Sequence, residues 1–300
     1  MRIVCAVVAG LASALVLRAQ DEAAFVAALA RAEAASPDER AAAAAAALEQ
    51  FLGLHDEGVR ERHEVAGVAM ALAADRLPLA VELATAARAR RPHEPRLVRC
   101  HLTALLRQGA FVEFVDLARV DLAAARDAVH AVFVAEEARL LPLAEQRLRS
   151  GDTARGRFVF ATLAEVEPPA SHRLGNFALC LRQLGELEAA RAAYERGLVL
   201  APDDLDLRND YGLFLRATGD LPGAVRAFEA AWRLDQSRPP ELRGRGPAIT
   251  NLVHLAATRP GVLPRDPIPD AAVALAVRPD ATMLKRLVLD VVADRLGARR

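Results

Sequence analysis

Aromatic side chains are scarce: one tryptophan, two tyrosines and ten phenylalanines amount to 4% of 300 residues. Sheets draw on aromatic and β-branched residues, so this shortage, with alanine abundant throughout, argues for closely packed helices. Cysteine is scarcer, at three. Cys5 lies in an amino-terminal apolar run, which leaves Cys100 and Cys180, too few for a disulfide framework and spaced like no metal-ligand set. Both are expected as buried apolar residues, with a disulfide open only in an oxidising compartment. Net charge is missing too. Lysine plus arginine equals aspartate plus glutamate at 39 each, so no global field draws the chain to nucleic acid or an anionic membrane. Any recognition by charge has to be local. The remaining balance, 53% hydrophobic and 26% charged, is that of a folded chain.

Long apolar runs are absent apart from the first, Ile3 to Leu17, which follows Arg2 and precedes Arg18, Ala19 and an acidic, polar start. That layout is a secretory signal peptide. The run is shorter than the ~20 residues a spanning helix needs, so cleavage after Ala19 is expected rather than anchoring; Ala12-Ser13-Ala14 is a second small-residue site. The alternative is a buried first helix of a cytosolic protein.

Catalytic patterns are missing as well. In "HDEGVRERHE" at 55–64, His63-Glu64 is followed by Val65, Ala66 and Gly67, so two histidines four apart around a glutamate do not occur. His93-Glu94 fails in the same way. No glycine-flanked serine elbow is present, and "GRGPA" at 244–248 lacks the lysine-serine and strand context of a phosphate loop. Carboxylates are scattered over helix faces. No enzyme activity, cofactor or metal is expected.

What is present is a period. "SHRLGNFALCLRQLGELEAARAAYERGLVLAPDD" at 171–204 and the next 34 residues place small and bulky groups at the same offsets, and Gly151, Gly185 and Gly219 are in phase. Leu174, Ala178 and Leu181 share one helical face. Gly185 ends that helix, and Ala190, Tyr194 and Gly197 mark a second face before Pro202 closes the unit. The next unit repeats the scheme with Tyr211, Gly212, Leu215, Gly219, Ala224, Phe228 and Ala231, and the preceding one with Leu140, Ala144, Gly151, Gly156, Phe160 and Leu163. Small residues let helix backbones approach, and the bulky ring fills the space this leaves. Earlier, Val68, Ala71, Ala80, Ala84 and Ala87 fall in register, with Asp75 where the glycine stands elsewhere. Pro78 and Pro222 both take the first turn of a second helix, where proline is tolerated. Gly109 opens a further turn, but Phe114 and Asp121 occupy small positions, and the next glycine comes eight residues late. An insertion or a lengthened second helix near "RVDLAAARDAVHAVF" accounts for the excess.

These residues resemble the tetratricopeptide repeat family, whose unit is 34 residues with this order of large and small positions. Asn176 also matches the family pattern. The resemblance is strongest over 137–238. It implies an all-α fold, a right-handed superhelical solenoid of antiparallel helix hairpins. The expected organisation is a signal peptide at 1–19, a divergent hairpin at 20–60, repeats at 61–94, 95–136, 137–170, 171–204 and 205–238, and capping helices at 239–300 joined by a proline-rich connection. Within 20–60, Ser36 before Pro37 and Glu39 reads as a capping box. Leu284, Leu287, Val288, Val291 and Leu296 form a stripe expected to cover the last repeat's open face.

The family binds proteins or peptides on the inner face lined by first helices. The corresponding positions here include Arg62, Arg96, Arg99 and Thr103, followed by the expected partner-binding residues Arg107, Arg149, His172, Asn176, Arg182, Gln183, Asn209 and Arg216. Arginine recurs near the end of four first helices, a ladder suited to carboxylates of an acidic or extended peptide. The competing account is local: a cation in a helix's last turn complements the helix dipole. The family's chaperone-tail clamp is not reproduced, since Leu179 and Leu213 stand where it uses asparagine. The expected function is an exported, non-enzymatic interaction scaffold of the cell envelope, periplasmic or extracellular. The alternatives are a ligand-binding accessory of an envelope enzyme system and a subunit that oligomerises through its terminal helices.

Overall fold

The computed structural model describes residues 2–239, 247–259, 261–277 and 281–297; "GRG" at 244–246 lies outside them, as do the side chains of residues 1–17, 277 and 295–300, among them Leu296 of the expected stripe. The described residues form sixteen helices and no strand. Over the described residues the chain is all-α, a succession of antiparallel helix hairpins. It divides into two compact units, Met1–Leu143 and Ala144–Arg300.

In the first unit, α1 (Arg2–Ala34) packs on α2 (Arg40–Leu52). Phe25 of α1 meets Phe51 of α2 with ring centroids 5.8 Å apart, and Ala28, Ala32 and Ala47 close the seam. The capping box reads differently from expectation. The Ser36 hydroxyl donates to the Glu39 carboxylate at 2.7 Å, so neither group serves a backbone amide, and α2 starts four residues later with no side-chain cap. Pro37 fixes its own backbone in a turn ahead of the helix.

Two hairpins follow, α3 (Glu57–Ala73) with α4 (Leu77–Arg90) and α5 (Pro95–Gln108) with α6 (Phe111–Asp121). The eight extra residues prove to be a separate helix, α7 (Arg126–Ala135), rather than an extension of α6. Its Phe133 stacks on Phe114 at 5.5 Å, which explains why a ring fits at a small position: the inserted helix brings an aromatic partner. The division between units falls inside α8 (Glu137–Ser150), which carries Pro142 within the helix.

The hairpin turns share one conformation. Gly109, Gly151, Gly185 and Gly219 have φ of 87°, 91°, 78° and 88°, and Asp75, alone among the described non-glycine residues, has φ 56°. The following amide returns to the carbonyl five residues back: Arg76 to Ala71, Ala110 to Leu105, Glu186 to Leu181 and Asp220 to Leu215, at 2.8–2.9 Å. This bond satisfies one of the carbonyls orphaned at the helix end. Left-handed backbone costs an ordinary L-residue about 1–2 kcal/mol, and aspartate is among the few that tolerate it. The aligned Asp75 therefore makes the same turn as the glycines.

The second unit continues with α9 (Thr153–Ala164), α10 (Ser171–Gln183), α11 (Leu187–Leu200), α12 (Leu205–Ala217) and α13 (Leu221–Ser237). Its small positions are close approaches. A Cβ on Gly212 would lie 2.5 Å from the Phe228 ring, one on Gly197 2.8 Å from Leu207, and one on Gly156 2.7 Å from Leu148. Ala178, Ala190, Ala224 and Ala231 are fully buried around Tyr194 and Phe228. Pro78 and Pro222 sit in the first turns of α4 and α13.

Then come α14 (Ala248–Thr258), α15 (Ile268–Val277) and α16 (Thr282–Gly297). The carboxy-terminal stripe faces a different partner from the one expected. α14 packs on α13, and α16 packs on α14 and α15, with Leu284 and Val291 buried in the common core and Leu287 and Val288 against it. α15 was hidden from the sequence by the prolines before it, Pro264 and Pro267. Its start is marked by the Ile268 amide donating to the Asp266 carboxylate at 3.0 Å. Among the described residues no helix is long and apolar enough to cross a membrane.

Candidate functional site

The first helices of the first unit border a cavity of 540 Å³. Leu29 of α1 and Val65, Ala66 and Met70 of α3 give it an apolar floor, and Arg96 and Arg99 of α5 stand at its rim. Glu33 of α1 also lines it, while two further charges are already committed. Arg62 donates to both Glu22 oxygens at 3.0 and 3.2 Å, and the Glu94 carboxylate caps α5 by accepting from the Leu97 amide at 2.6 Å. Arg96 and Arg99 are exposed and make no hydrogen bond or ion pair among the described residues. Arg62 and Val65 of α3 and Arg96 and Arg99 of α5, at matching offsets in neighbouring hairpins, line this one cavity.

The eight residues expected to bind a partner are not equivalent. Arg107 donates to the Glu136 carboxylate through Nε and Nη2, both at 3.1 Å. Arg149 reaches Glu145 one turn back at 3.5 Å. Asn209 is 4% exposed and accepts from the Asn251 side-chain amide at 2.8 Å, so it ties α12 to α14. His172 and Gln183 are exposed and Asn176 is half-buried. Arg182 is half-buried near Asp210 of α12, whose carboxyl burial and the neighbouring Asp206 hold above its ordinary range, against the opposing pull of Asn209 and Arg182. Arg216 lines a different cavity, of 320 Å³, with Leu221, His254, Leu255, Thr258 and Arg259. His254 and Arg259 were missed because they lie beyond the last repeat, where no register assigns them a position.

A polar cluster in the first unit also escaped notice. Asp121, at a small position of the repeat, is wholly buried. Arg88 of α4 donates to its Oδ1 at 2.5 Å and to the Pro92 carbonyl at 3.1 Å, and lies 3.4 Å from His101 Nδ1. His101 is 8% exposed; burial, with the Arg88 charge added, lowers its pKa to about 4. The folded state thus refuses a proton that the unfolded chain takes up near pH 6.5. Stability from this group is complete above pH 6.5 and is lost as pH falls towards 4, by about 3 kcal/mol in all. Asp121 works in the opposite sense, because burial raises its pKa and the fold takes its proton first. Comparing urea unfolding of the native chain and His101→Gln across this window isolates the histidine: the variant is expected to lose less stability on acidification, and parallel curves would refute the assignment.

Cys100 and Cys180 form no disulfide with each other; Cys180 is buried as expected, whereas Cys100 is half-buried. Burial raises the pKa of both thiols, that of Cys180 to about 11, which makes them poor nucleophiles at neutral pH. Among the described residues no three histidine, cysteine or carboxylate side chains gather as metal ligands.

No protein-family profile and no curated protein matches the chain. Solved structures do. The fold is similar to MamA of AMB-1, with 19% identity over 62% of this chain and 97% of that one and a TM-score of 0.44. It is similar to a tetratricopeptide repeat protein from Parabacteroides merdae, with 11% identity over 90% and 99% and a TM-score of 0.43. It is also similar to YrrB, described as a TPR protein with an unusual peptide-binding site, with 14% identity over 69% and 97% and a TM-score of 0.43.

Proposed function

We propose that this chain is a non-enzymatic interaction scaffold of the cell envelope that holds an acidic, extended peptide against its first helices. The observation that carries the reading is the cavity in the first unit, lined by apolar side chains together with Arg96 and Arg99, two guanidinium groups with no hydrogen-bond or ion-pair partner among the described residues. Apolar side chains of a peptide would bury on Leu29, Val65 and Met70, while its carboxylates take charge-assisted bonds from the arginines. In the second unit Arg182, with His172, Asn176 and Gln183 beside it in sequence, is a separate candidate contact for a partner. Arg107, Arg149 and Asn209 hold other parts of the fold and contribute to the partner only indirectly.

Export rests on the charged, then apolar, amino terminus. Cleavage after Ala19 would leave Phe25, Ala28 and Ala32, the residues that seat α1, on the mature chain. A reporter fused to residues 1–25 is expected to leave the cytoplasm, and retention there would refute export.

The binding test is fluorescence anisotropy with labelled acidic, neutral and basic peptides of equal length and apolar content. Arg96→Glu with Arg99→Glu should weaken the acidic peptide at least about tenfold, the effect of about 1.4 kcal/mol, while the helical circular dichroism stays unchanged. Equal affinity for the three peptides, or no loss on charge reversal, would refute the acidic-peptide reading.

A further inference from the structure

The cavity at Arg216 differs from the peptide groove in its chemistry. Its six lining residues include two arginines and a histidine and no carboxylate. Arg216 comes from the last turn of α12, His254 from α14 and Arg259 from the residue that caps α14, with Leu221 and Leu255 forming the apolar wall. Arg216 and His254 are half-exposed and Arg259 exposed, and none of the three side chains has a hydrogen bond or ion pair among the described residues. Some arginines elsewhere in the unit have acidic partners: Arg157 is bonded to Glu186 at 3.0 Å, Arg233 to Glu229 at 3.2 Å.

Helix dipoles explain why cations sit at these two helix ends, but not why they sit together. The terminal carbonyls are already engaged: Leu215 accepts from Asp220, Phe214 from Thr218 and Leu255 from the Arg259 amide, at 2.9–3.0 Å. Like charges around one cavity repel, and a ligand of opposite sign relieves that repulsion. A monoanion would leave one guanidinium unmatched, whereas a dianionic tetrahedral group neutralises both and offers oxygens to the imidazole. Guanidinium forks match phosphoryl oxygens in geometry as well as charge.

We propose that Arg216, His254 and Arg259 form a binding site for a phosphoryl dianion, free or esterified. The site goes beyond the scaffold reading and needs no peptide. The test is thermal unfolding of the full chain at neutral pH and constant ionic strength, titrated with inorganic phosphate, phosphoserine, acetate or chloride. Phosphate at about ten times its Kd is expected to raise the Tm by about 3 °C, and acetate and chloride to leave it unchanged. Whichever of phosphate and phosphoserine binds more tightly identifies the free or the esterified form. Arg216→Gln with Arg259→Gln should abolish the rise, while Arg226→Gln, at an exposed arginine outside this cavity, keeps it. In the native chain the His254 ring resonances, assigned with His254→Gln, should shift along the same titration. Equal responses to acetate and phosphate, a rise that survives the double substitution, or an unmoved His254 signal would each overturn the site. Failure of peptide capture with the phosphate response intact would count against the scaffold reading alone.

Discussion

Replacing Arg88 by methionine is expected to lower the stability of the first unit by about 3–5 kcal/mol, the usual cost of orphaning a buried charge. The carboxylate left behind is Asp121, fully enclosed, whose Oδ2 already lacks a partner among the described residues. Arg88 supplies its one strong hydrogen bond and also the link to the Pro92 carbonyl. Only His93, 3.9 Å from Oδ1, is left to offset the desolvation, so the carboxyl must protonate or the helices must part. Aligned positions in other units hold Ala87, Gly197 and Ala231, so alanine belongs at this place in the packing scheme. Adding Asp121→Ala to Arg88→Met removes the orphan and should restore most of the loss. Urea unfolding of the two variants decides the matter: an equal deficit in single and double variants would show that Arg88 acts through its stem, not through the ion pair.

Gly212→Val should destabilise the second unit by about 3 kcal/mol, at the upper end of ordinary overpacking costs. Intrinsic helix propensity predicts the opposite sign, since glycine is the less favourable residue in a helix interior by about 0.5–1 kcal/mol against alanine. Packing wins here because the new Cβ would lie 2.5 Å from Phe228, a ring that is itself fully buried among Ala224, Ala231 and Trp232. That ring cannot swing aside without displacing the core. Phe228→Leu supplies the missing room, so the two substitutions together should cost less than the sum of each alone. A Gly212→Val chain with unchanged or raised Tm would mean that the helices can slide apart freely, and the nesting account of the repeat would fail.

The hairpins were legible because their determinants are local and periodic. Glycine at the left-handed turn, proline in the first turn of α4 and α13, and the large-small alternation each act within one unit and recur at the same offset. Even Asp75 could be placed, since register alone assigned it the turn that its φ confirms. The sequence was silent where structure depends on a neighbour. α7 breaks the period, and the reason Phe114 is tolerated lies in Phe133, nineteen residues on. Arg107 and Arg149 looked alike as ladder members, yet Arg107 meets a carboxylate 29 residues away while Arg149 has only a neighbour on its own helix. Asn209 sat at a groove position, but its partner Asn251 lies beyond the last recognisable repeat. The candidate site was therefore readable as a set of positions and unreadable as a set of available side chains.

The left-handed turns have a practical use. A methyl group added at Gly109, Gly151, Gly185 or Gly219 would touch nothing within 4 Å, so alanine there imposes a pure torsional penalty on one hairpin and leaves its interfaces intact. Four matched, mild perturbations, spread along the chain, can then report how far unfolding spreads from the hairpin where it begins. The molecule thereby carries its own graded series for measuring cooperativity.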